Sequence, residues 1–95
     1  MAVGPGQMLA YPNPLKGKTL WFYYTCRPPA RVTIDIMNVA GEKVMTLTDT
    51  PPGQGLAHTS WETGKLAPGI YLYRAYIEDA DGVRTFGWQK FAVVR

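Results

Sequence analysis

Residues 31–38 alternate without a break: Val32, Ile34 and Ile36 fall on one side, Thr33, Asp35 and Met37 on the other. A period of two marks a strand with one buried face, so this segment is predicted as a central strand. Residues 18–25 repeat the pattern, with Leu20, Phe22 and Tyr24 inward and Trp21, Tyr23 and Thr25 outward. A turn through Gly41 leads into a strand over 43–48, where Val44 and Thr46 oppose Met45 and Leu47, so the two segments form a hairpin. Residues 8–11 read as a short edge strand, stopped at Pro12, Asn13 and Pro14 because proline cannot donate to a ladder.

The second half is organised around residues 61–73, WETGKLAPGIYLY. A strand over 56–62 ends on Trp61. A turn follows, with Gly64 and Gly69 free to take positive φ and Pro68 fixing its own φ. The strand over 69–78 then places Tyr71, Tyr73, Ala75 and Ile77 on one face and Ile70, Leu72, Arg74 and Tyr76 on the other. The DADG stretch ending at Gly82 is a hairpin turn, and residues 83–94 form the closing strand, kinked or bulged at Gly87.

Seven turn-bounded strands without helical periodicity predict an all-β fold, an immunoglobulin-like antiparallel β-sandwich, with a small open barrel as the alternative. The predicted core comprises Leu20, Phe22, Val32, Ile34, Ile36, Trp61, Tyr71 and Tyr73; the structural turns comprise Asn13, Pro14, Gly41, Gly64, Gly69 and Gly82.

Ninety-five residues make one domain, expected over 8–95, and residues 1–7 read as a linker or remnant. The opening MAVGPGQ lacks the basic and apolar regions of a signal peptide, which fits either a small cytoplasmic protein or a module excised from a larger parent protein, the second being the expectation. No run approaches the roughly 20 apolar residues of a membrane span. The ten Lys and Arg lie singly among seven acids, a pattern that argues against nucleic-acid binding. Cys26 stands alone, so no internal disulfide can form.

Candidate chemistry is sparse. His58 has no partner at metal-ligand spacing, and only Arg27 adjoins Cys26 to favour a thiolate. Glu78, Asp79 and Asp81 offer too few oxygens for calcium. Catalysis would require Asp35, His58 and Glu62 to converge. The expectation is therefore a non-enzyme without cofactor or metal, monomeric in isolation. The surplus is aromatic: Trp21 and Tyr23 point away from the core, and with Trp88 they form a candidate interaction face for protein docking or sugar stacking.

Four stretches stand in order: YPNP at 11–14, NVAGEKV at 38–44, SWET with LAPGIYLYR up to Arg74, and QKFAVVR at the end. Together they resemble the immunoglobulin-like domain of flagellar hook-capping (FlgD-like) proteins and the related C-terminal domains of type IX secretion cargo. The resemblance covers residues 8–95. It implies a non-catalytic module of a larger extracellular, cell-surface or periplasmic bacterial protein, serving export and sorting, anchoring or structure, with secretion or surface-assembly machinery as its partners. An assembly role like that of the hook-capping domain, and carbohydrate binding through the outward aromatics, are the alternatives.

Overall fold

The computed structural model describes residues 7–53 and 55–94. The expected linker over 1–7 lies outside them except for Gln7, as does Arg95 of the closing stretch. Seven strands follow one another: β1 (Leu9–Tyr11), β2 (Thr19–Cys26), β3 (Arg31–Asn38), β4 (Lys43–Asp49), β5 (Gly55–Glu62), β6 (Gly69–Asp79) and β7 (Gly82–Val93). They form two antiparallel sheets, β1-β2-β5 and β4-β3-β6-β7, and no helix occurs among the described residues. This is an immunoglobulin-like β-sandwich.

The alternation read from sequence fixes which faces meet. Leu20, Phe22, Tyr24 and Cys26 of β2 face Val32, Ile34 and Ile36 of β3 and Tyr71, Tyr73, Ala75 and Ile77 of β6 in one buried cluster that also holds Trp61. Phe22 meets Tyr73 edge-on at 5.1 Å, and Tyr71 stacks on Phe91 at 5.5 Å. Such ring pairs add roughly 0.5–1.5 kcal/mol beyond the area they bury.

At the corner before β6 the Tyr71 hydroxyl donates to the Ala67 carbonyl at 2.6 Å. This local bond ties the start of β6 to its own turn, in the manner of the tyrosine corner of immunoglobulin-like sandwiches. Gly64 in the same turn has φ 62° and Gly82 in the β6–β7 hairpin has φ 117°, conformations that a Cβ would strain. Gly41 and Gly69 also have positive φ.

Strand β4 departs from the expected pattern. The register sets Met45 opposite Ile36 and Leu47 opposite Ile34, so both share the core side of the sheet. Yet Met45 is 38% exposed and Leu47 half-buried, whereas Ile34 and Ile36 are fully buried. The facing sheet has one strand fewer and does not reach across β4.

Candidate functional site

The YPNP stretch is a seam between the sheets as well as a turn. Its Asn13 accepts a hydrogen bond from the Ala92 amide at 3.0 Å and donates through Nδ2 to the Lys90 carbonyl at 3.3 Å. One side-chain amide thereby pairs with the free edge of β7 as a strand backbone would. Two residues later Leu15, fully buried, bridges Val93 in parallel, with its amide on the Ala92 carbonyl at 2.7 Å. The chain thus leaves one sheet at Tyr11 and closes the edge of the other.

The opposite end of the sandwich holds the acidic hairpin. The Asp79 carboxylate, only 1% exposed, accepts from the Arg27 amide at 3.1 Å, the Asp81 amide at 3.0 Å and Arg84 Nη2 at 2.9 Å. Burial alone would raise its pKa. The two backbone amides and the Arg84 guanidinium outweigh burial and hold the carboxyl below its usual range. Asp81 pairs with Arg27 at 2.8 Å. These carboxylates, considered as calcium ligands, are engaged by arginines. No cluster of three or more His, Cys, Asp or Glu able to hold a metal occurs among the described residues. Cys26 lies under this end, and burial pushes its thiol pKa up, away from reactivity.

Asp35, His58 and Glu62 do not converge. His58 and Glu62 lie on the exposed side of β5, while Asp35 lies on the outer face of the other sheet, with the core between them.

The candidate aromatic face divides in the same way. Trp21 and Tyr23 sit half-buried on the outer face of β2, with Tyr11 paired to Trp21, Leu9 to Tyr23, and His58 edge-on to the Tyr23 ring at 5.9 Å. Trp88, 43% exposed, is on the outer face of the other sheet, against the Arg74 guanidinium at 4.8 Å. The expectation that Trp88 shares a face with Trp21 and Tyr23 is thereby corrected, because β2 and β7 belong to opposed sheets. Leu9, Tyr11 and His58 join the Trp21 face through strand register, which single-strand periodicity does not specify.

This arrangement leaves aromatic and polar side chains exposed on a closed scaffold. The family model described as "Secretion system C-terminal sorting domain" matches residues 9–86, from the start of β1 into β7. The chain belongs to that family. Among solved structures, dimeric latent PorU from Porphyromonas gingivalis is similar over 92% of this sorting domain, with a TM-score of 0.74 and 20% identity. The chain spans 9% of the length of that PorU chain. At this identity the likeness shows the shared sandwich fold. A search of curated proteins found no match. No helix among the described residues is long and apolar enough to cross a membrane.

Proposed function

We propose that this sorting domain is the non-catalytic export module of a larger type IX secretion cargo protein, which it directs to the cell surface or the extracellular space. The family match over residues 9–86 carries this reading. The packing is compatible with it: the conspicuous hydrogen-bonding and ionic groups, Asn13, Asp79 and Arg84, are spent on closing the two ends of the sandwich. What remains exposed is side-chain surface suited to recognition. The hook-capping branch of the resemblance rests on the four motifs alone.

The test is a fusion of the domain behind a reporter carrying its own signal peptide, in a host with type IX secretion. Reporter at the surface or in the medium is the expected outcome. Retention in the periplasm, with the domain folded, would reject the sorting role.

A further inference from the structure

Strand register arranges the outer face of the four-stranded sheet in two rows perpendicular to the strands. The first runs Thr46, Asp35, Arg74 and, at the β7 bulge, Trp88. It is linked throughout: Thr46 Oγ1 donates to Asp35 Oδ1 at 2.9 Å, Arg74 Nε lies 3.5 Å from Asp35 Oδ2, and the Arg74 guanidinium lies 4.8 Å from the centre of the Trp88 ring. The second row is Thr33, Tyr76 and Thr85. A depression of about 510 Å³ lies along these rows, lined by residues of both.

We propose that this depression binds a neutral oligosaccharide. A pyranose ring presents an apolar C–H face and a rim of hydroxyls that each donate and accept. Trp88, nearly half exposed and with one ring face taken by Arg74, offers its other face as the platform for the C–H face. Asp35 accepts and Arg74 donates, both through planar groups that can engage neighbouring hydroxyls two at a time, and the hydroxyls of Thr33 and Thr85 lie alongside. The depression crosses three strands, β3, β6 and β7, which at about 4.8 Å apart span about 10 Å, longer than a single sugar ring.

Charge and order select the ligand class. The one carboxylate is paired with Arg74 at 3.5 Å, and the single cation in excess, Lys43 at 3.7 Å, is exposed and outside the depression, a weak call for a charged ligand. Because Arg74 is already held by Asp35 and Trp88, little side-chain freedom remains to be lost on binding. A protein partner would favour a central apolar anchor cluster. Here the two exposed rings, Trp88 and Tyr76, are interleaved with hydroxyl and charged groups.

The test is titration of the domain with cellohexaose, xylohexaose, laminarihexaose and mannohexaose, followed by amide and indole NMR shifts. At least one sugar is expected to give saturable shifts in β6, β7 and the Trp88 indole at concentrations up to about 10 mM. Trp88→Ala should weaken that binding about tenfold or more, and Trp21→Ala should leave it within about twofold. Trp88→Phe, which keeps a ring, should retain part of it, and the unperturbed amide spectrum of each variant reports its fold. Absence of saturable shifts with all four sugars, shifts confined to the Trp21 and Tyr23 face, or wild-type binding by Trp88→Ala would each overturn the proposal.

Discussion

Tyr24 has its side chain fully buried, yet it keeps a polar partner: its hydroxyl meets Thr59 Oγ1 at 2.7 Å, and Thr59 in turn donates to Asp49 Oδ2 at 2.9 Å. Burial pushes the phenol up from 10.0 to about 12, with the Thr59 hydrogen bond opposing and the Asp49 charge adding to the rise. A folded pKa above the unfolded one means stabilisation fully present below pH 10.0 and lost as pH rises through about 12. Tyr24→Phe should cost about 1 kcal/mol at neutral pH, since Thr59 keeps Asp49 as its partner. It should also make the alkaline loss of stability less steep without abolishing it, because burial raises Tyr73 and Cys26 as well. Urea titrations across the alkaline range check both; parallel alkaline limbs for the two proteins would refute the assignment. Periodicity places Tyr24 on the inward face. Its partners were not legible, because Thr59 meets it through the pairing of β2 with β5 and Asp49 only through the packing of one sheet on the other.

Among the elements, β7 shows how a local irregularity serves the whole. Phe86 and Phe91 are an odd number of residues apart, so strict alternation would send one of them outward, yet both are buried. The register with β6 shifts between Tyr73 and Ala75, where Gly87 and Trp88 fall on the β7 side. That extra residue restores the phase for Phe91 and Val93 and turns Trp88 onto the outer face. Deleting Thr85, which with the hairpin end held puts Phe86 opposite the outward Tyr76, should therefore turn Phe86 out of the core, a loss of about 3 kcal/mol or more, whereas loss of Gly87 itself would set Phe86 and Phe91 four apart and leave both inward. Gly87→Ala should stay within about 1 kcal/mol, since an added Cβ there meets no atom within 4 Å. Denaturant midpoints for the two variants give the comparison, and equal effects would refute the phase argument. The bulge was legible at Gly87 because glycine inside a strand pattern is conspicuous. The exposure of β4 was not, because its apolar alternation resembles that of a covered strand and only the unequal width of the sheets uncovers it.

For the molecule as a whole, the two sheets are closed differently along their two sides. At β4 and β5 the wider sheet overhangs, and Asp49 and Thr59 provide a hydrogen bond between the strands. At β1 and β7 the YPNP seam binds the sheets through Asn13 and Leu15. Sequence reading marks the prolines here as strand breakers and leaves Asn13 as a turn residue; its partners lie at Lys90 and Ala92, far along the chain. Asn13→Ala removes both side-chain bonds but keeps the backbone bridge at Leu15. The two bonds are solvent-exposed, so the expected loss in global stability is about 1 kcal/mol. The local effect should be larger in kind: the Ala92 amide loses its acceptor and should exchange with solvent through local opening of the β7 edge. The Leu15 amide, bound to the Ala92 carbonyl, should open with it, while amides of β3 at the centre of its sheet keep exchange governed by global unfolding. Native-state hydrogen exchange reads all three. Unchanged protection at Ala92 in the Asn13→Ala variant would show that the edge is held by Leu15 alone.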